Sequence, residues 1–213
     1  MSKKASTKVE PITKITDTIE DEDYIPETVF ARIKVFWFFN RPGMRQVPYI
    51  QDLEVESLII YLIPSIILTI GVFFIGLTIN SDIELINLLI ASFLTFIIEI
   101  IGILVFIIVL LIIMRFILPG FPKESHARPK MVIISFSYVY LTKIILNLGF
   151  IQVYLFSTTS SLTIGVLSYY IFSVYFVVVT AFSIKSLTGT GLINSLIGGL
   201  FLYFPVIIVF ALL

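Results

Sequence analysis

The chain has 213 residues, of which 58% are hydrophobic and only 13% charged, with no formal net charge and no cysteine. Soluble domains are nearer half apolar and about a quarter charged, so a water-soluble fold is excluded and lipid must solvate most of the chain. The lack of cysteine excludes disulfides and thiolate metal sites, and the single histidine, His126, cannot build a metal centre alone; no metal, cofactor or nucleic-acid partner is expected.

Charge is segregated along the sequence. Residues 1–26 are polar, with Lys3, Lys4, Lys8 and Lys14 followed by Glu20-Asp21-Glu22-Asp23. Nothing there can bury enough surface to offset the entropy of ordering, so the segment reads as a disordered cytoplasmic tail and not as a cleavable signal. Residues 27–56 change character. Pro26 suits a helix start, and Val29, Phe30, Ile33, Phe36 and Trp37 recur at helical spacing, with Arg32 and Lys34 off that stripe. This predicts a short amphipathic helix that either lies in the headgroup plane, anchored by Trp37 and the phenylalanines, or packs on the cytoplasmic ends of the spans. Asn40-Arg41-Pro42-Gly43 should break it.

Residues 57–213 read as a membrane domain. A bilayer core needs about 20 apolar residues in a helix, and five runs qualify: 57–79, 86–117, 131–156, 162–184 and 192–213. The runs are too long for strands and lack period-two alternation. The fold class is therefore all-α, a polytopic bundle of five transmembrane helices. The second run exceeds the membrane and should tilt or project. Residues 80–85 and 157–161 are tight connections, which makes two hairpins.

Orientation follows from the basic residues, which gather in cytoplasmic loops. Arg41 and Arg45 precede the first run; Arg115, Lys123, Arg128 and Lys130 join the second to the third; Lys185 follows the fourth. Of 14 basic residues, 13 fall on one side. The expected N-terminus is cytoplasmic and the C-terminus lies outside. Arg41, Arg45, Lys123, Arg128 and Lys130 are candidates for contact with anionic lipid headgroups.

The exception is Lys143, in the middle of the third run. Glu99 lies in the middle of the second. A charge at bilayer centre costs ~2.5–3.5 kcal/mol on insertion scales, so two opposite charges at one depth predict a pair. Asn147, one turn on from Lys143, or Tyr140 should complete its hydrogen bonds. Such a pair fixes helix register or marks a proton or ion path or a polar cavity; the alternative to pairing is that Lys143 snorkels and Glu99 stays protonated. Pro64 and Pro205 should kink their helices. Gly191, Ser195 and Gly199, spaced by four, predict a small-residue ridge for close packing inside the bundle or between two copies. Gly189-Thr190-Gly191 follows a helix and lacks a Gly-Lys-Ser/Thr ending, so it reads as a turn and not a phosphate loop. No nucleophile–base pair or catalytic carboxylate pair stands out, and no enzymatic activity is expected.

The segment Phe38-Phe39-Asn40-Arg41-Pro42-Gly43-Met44-Arg45 resembles the aromatic-Arg-Pro entry of prokaryotic members of the Yip1 family of five-span membrane proteins. The stretch from Tyr170 through Ser183-Ile184-Lys185-Ser186-Leu187-Thr188-Gly189 into a last apolar run containing Pro205 is similar to that family's ending. The resemblance covers about residues 30–213 and implies a membrane-organising or trafficking scaffold, with protein partners or a homo-oligomer. In eukaryotic members it implies Rab GTPases and the endoplasmic reticulum or Golgi, in prokaryotic ones the cell membrane. The family's Asp-Leu-Tyr/Trp-Gly-Pro entry is absent, since Asp52-Leu53-Glu54-Val55 lacks the Gly-Pro. The residues themselves leave a second expectation, a small transporter or channel subunit using Glu99 and Lys143.

Overall fold

The computed structural model describes residues 25–50, 52–79, 84–117, 128–157 and 162–212, and among these every regular element is helical. The acidic tail, Lys123, His126 and most of the two tight connections lie outside the described residues. Five segments are long and apolar enough to cross a membrane, so the protein is a multi-pass helical membrane protein. Two short helices precede them, α1 (Val29–Trp37) and α2 (Arg41–Gln46). The spans are α3 (Glu54–Ile79), α4 (Leu85–Ile112), the pair α5 (Arg128–Tyr140) and α6 (Lys143–Ser157), α7 (Leu162–Thr188) and α8 (Leu192–Leu212). α3 starts earlier than hydropathy suggests because Glu54 and Glu56 suit the positive end of a helix dipole. α4 continues past Ile112 as a π-helical turn, Ile113–Ile117.

The expected breaker at Asn40 does more than end α1. Its side chain accepts from the Gly43 amide at 3.1 Å, and with Pro42 in the first turn it starts α2. Phe39, at φ +60°, takes the sharp corner between the two helices.

The third span is not the continuous 131–156 helix the sequence suggested. It breaks at Leu141–Thr142. The Thr142 amide and hydroxyl both donate to the Val139 carbonyl, at 3.0 and 2.6 Å. The Ile144 and Ile145 amides then reach back three residues, to Leu141 and Thr142, a tighter winding than the α-helix. Hydroxyl groups competing for backbone carbonyls explain the break. Helical structure runs on through Pro64 in α3 and Pro205 in α8, so the interruption falls where no proline stands.

The bundle closes into a ring. α3 packs on α4, α4 on α8, α8 on α7, α7 on α6, and α6 with α5 back on α3. The third span is the most enclosed, 72% buried over its apolar window against 33–39% for the others, and it is also the least hydropathic. Its Ser135, Ser137, Thr142, Lys143 and Asn147 are all buried. Lipid offers such groups no partner, so the least apolar of the five spans is also the one most enclosed by protein. The other four turn Ile66, Phe74, Ile101, Leu104, Val174 and Phe204 outward.

The small residues of the last span act differently from the ridge the spacing suggested. Gly191 precedes α8, and a methyl group added there would meet nothing within 4 Å, because it is a turn residue outside the helix. Ser195 turns inward, its hydroxyl donating to the Gly191 carbonyl at 3.0 Å. Gly199 makes the close approach: an added Cβ would lie 2.9 Å from the Val177 carbonyl oxygen of α7. Its neighbour Gly198 does the same against Ile184. The contact pair is Gly198–Gly199, adjacent and not four apart.

Candidate functional site

Glu99 belongs to the inward stripe of α4, with Leu88, Ser92, Thr95, Gly102, Phe106 and Leu110, positions that recur at helical spacing. Lys143 is the first residue after the break in the third span. The structure brings the two together. The Lys143 ammonium donates to Glu99 Oε2, and both side chains are fully buried, at 0% exposure. The partners differ from those expected. The Ser65 hydroxyl of α3 donates to Glu99 Oε2 at 3.2 Å. Asn147 turns away and donates to the Pro64 carbonyl at 2.6 Å. Tyr140 contributes its ring face, with the Lys143 ammonium 5.5 Å from the centroid and at the same distance from Phe210 of α8. Glu99 Oε1 and Asn147 Oδ1 are buried with no protein donor. One site thus ties α3, α4, α6 and α8. Chemically it is an acid–amine pair with no net charge, enclosed by aromatic faces and small hydroxyls.

A second buried cluster escaped the sequence reading. Arg32, expected off the apolar stripe of α1, is buried on the same side as Val35 and Phe36. Its Nε and Nη2 donate to the two oxygens of Glu56 in the first turn of α3, at 3.0 and 2.6 Å. Nε also donates to the Tyr138 hydroxyl of α5 at 2.9 Å, and Nη1 to the Pro26 and Glu27 carbonyls. The Tyr138 hydroxyl in turn donates to Glu56, and its ring stacks on Phe36 with centroids 5.7 Å apart. Burial works against the guanidinium charge, but the Glu56 hydrogen bonds and the negative groups beside it outweigh that, so its pKa stands above the ordinary arginine value. At the other end of α1, the Tyr175 hydroxyl donates to the Trp37 carbonyl at 3.1 Å. Both ends of α1 are therefore fastened to the bundle. The available signal was the spacing of Arg32 from Val35 and Phe36, three and four residues, which puts them on one face.

The remaining candidates separate. Arg41 lies 5.8 Å above the Phe182 ring, and Arg45 Nε donates to the Ser186 carbonyl at 3.1 Å near the end of α7. Lys130 pairs with Glu54 on an exposed surface. Arg128 opens α5, while Lys123 lies outside the described residues. Among the described residues, no group of three or more His, Cys, Asp or Glu side chains gathers as a metal site would require. Compared with family models, curated proteins and solved structures, the chain matches none.

Proposed function

We propose that this chain is a non-enzymatic, Yip1-like membrane protein that organises or recruits partners in the bilayer. The observation that carries this reading is the use of the buried polar groups as joints between helices. Glu99 and Lys143 are sealed at 0% exposure. The Tyr61 hydroxyl donates to the Ile133 carbonyl, and the Tyr203 hydroxyl to Ser173. A solute path would need such groups to face a wetted cavity. The basic residues favour a cytoplasmic N-terminus and an external C-terminus, and set Arg41, Arg45 and Lys130 at the headgroup level of the inner leaflet. The membrane is the cell membrane in a prokaryote, or the endoplasmic reticulum or Golgi in a eukaryote.

A second reading, a small transporter or channel subunit, is favoured by the break at Leu141–Thr142 directly before Lys143, since interrupted helices build many transport sites. Solute flux into proteoliposomes, wild type against Glu99→Gln, separates the two. The scaffold reading expects no flux from either protein and specific partners from crosslinking in native membrane. Flux abolished by the substitution overturns it.

A further inference from the structure

The lock on α1 fixes which of its faces points away from the bundle. With Arg32, Val35 and Phe36 turned inward, the outward residues are Phe30, Lys34 and Phe38, at intervals of four. The two aromatic rings are 77% and 75% exposed. Arg41 and Arg45 of α2 continue the exposed surface. Between Glu27 and Val47 the chain holds three exposed cations, Lys34, Arg41 and Arg45, against one exposed carboxylate, Glu27 itself. A surface that alternates large aromatic rings with cations fits a boundary that is apolar below and anionic above.

The height of this surface along the bundle agrees. Arg32 pairs with Glu56 in the first turn of α3, and Arg45 meets Ser186 in the last turn of α7. α3 has 26 residues, so at ~1.5 Å per residue it is about 39 Å long, against a hydrocarbon core of about 30 Å. Its first turn therefore stands at the headgroup boundary, and α1 and α2 stand with it. The outward apolar side chains of α3, Leu58 and Ile59, follow just below.

We infer that Phe30, Lys34, Phe38 and Arg41 form a docking surface for an anionic phospholipid leaflet, with the rings seated at the acyl boundary and the cations among the phosphates. This rests on the membrane insertion of the five spans and on no partner, so it stands or falls apart from the scaffold reading.

The test uses the full chain reconstituted in phosphatidylcholine vesicles with phosphatidylglycerol. Trp37 is the chain's single tryptophan, so Trp37→Phe with Phe30→Trp, and separately with Phe38→Trp, gives one fluorescent reporter at each exposed position. Lipids brominated along the acyl chain should quench both reporters, placing them about 5–10 Å below the headgroup level. Brominated phosphatidylglycerol should quench more than brominated phosphatidylcholine at equal mole fraction. Lys34→Gln with Arg41→Gln should erase that preference while leaving the depth unchanged. Reporters that neither lipid quenches would show a face covered by protein or open to water, and equal quenching by both lipids would show no anionic preference; either result overturns the inference. Flux and crosslinking are read on chains whose α1 and α2 are unaltered, so a failure here is distinguishable from a failure of the scaffold reading.

Discussion

The buried Glu99–Lys143 pair makes a quantitative prediction about which charge the bundle depends on. Lys143→Met leaves the Glu99 carboxylate with the Ser65 hydroxyl at 3.2 Å as its remaining donor and Oε1 unpartnered. Breaking a buried pair in this way typically costs ~3–5 kcal/mol. Glu99→Gln leaves the ammonium between the Tyr140 and Phe210 rings, each 5.5 Å away. Each face returns ~0.5–2 kcal/mol, so this single change should lose less, about 2–4 kcal/mol. The double variant, Glu99→Gln with Lys143→Met, removes both charges, and the introduced side-chain amide oxygen still accepts from the Ser65 hydroxyl. It should lie within about 1 kcal/mol of wild type or above it. The pairwise coupling is then about 4 kcal/mol or more. Reversible unfolding in mixed detergent–dodecyl sulfate micelles, followed by helical circular dichroism, measures all four proteins. A double variant that loses the sum of its singles, within ~0.5 kcal/mol, would refute the pairing as an energetic unit.

The lock on α1 should be specific to arginine: Arg32→Lys keeps the charge but cannot reproduce the forked contacts to Glu56 together with Tyr138 and two backbone carbonyls. Arg32→Gln should lose ~3 kcal/mol of local stability, read as roughly a hundredfold faster amide exchange across Val29–Trp37, with Arg32→Lys recovering less than half of it in free energy. Gly199→Ala places a methyl group 2.9 Å from the Val177 carbonyl oxygen and should destabilise the bundle by ~1–3 kcal/mol, whereas Gly191→Ala, with open space around it, should be neutral in the same unfolding assay. Because the chain has no cysteine, Gly191→Cys gives a unique label. An impermeant thiol reagent should reach it only after permeabilisation of the cell if the N-terminal side is cytoplasmic, and reaction in intact cells would reverse that orientation.

The spans were legible because lipid solvation leaves a one-dimensional signal: a run of about 20 apolar residues is visible without knowing what it touches. The depth match of Glu99 and Lys143 was legible for the same reason, since two consecutive spans run antiparallel through one slab of fixed thickness. Their third partner was not. Ser65 comes from α3, whose place beside α4 the hairpin fixes, but which of its side chains turns toward Glu99 depends on the rotation of α3 about its axis, which hydropathy does not encode. Arg32 was misplaced because an arginine counts as polar in any periodicity, whereas here Glu56, Tyr138 and two carbonyls neutralise its head and leave its stem to pack like an aliphatic chain. The break at Thr142 was hidden in another way. Threonine is common in membrane helices, and a hydroxyl bonded to its own turn looks the same in sequence whether the helix continues or stops.

These features are connected by the polarity of the third span. A membrane helix carrying Lys143 and Asn147 cannot face lipid, so the other spans must surround it. Once surrounded, it can wind more tightly at Leu141–Thr142 at modest cost, because the Thr142, Ile144 and Ile145 amides still find carbonyls three residues back. That local rewinding resets the rotation of everything after it, and Lys143 is the first residue of the new segment. The break therefore sets the direction in which the ammonium points, toward α4 and the Phe210 ring of α8. A substitution that restores regular winding, such as Thr142→Ala, should rotate Lys143 away from Glu99. It should then lose much of the coupling measured in the double-mutant cycle, although residue 142 donates to neither charge. Full coupling retained in a Thr142→Ala background would mean that the break only accommodates the pair and does not aim it.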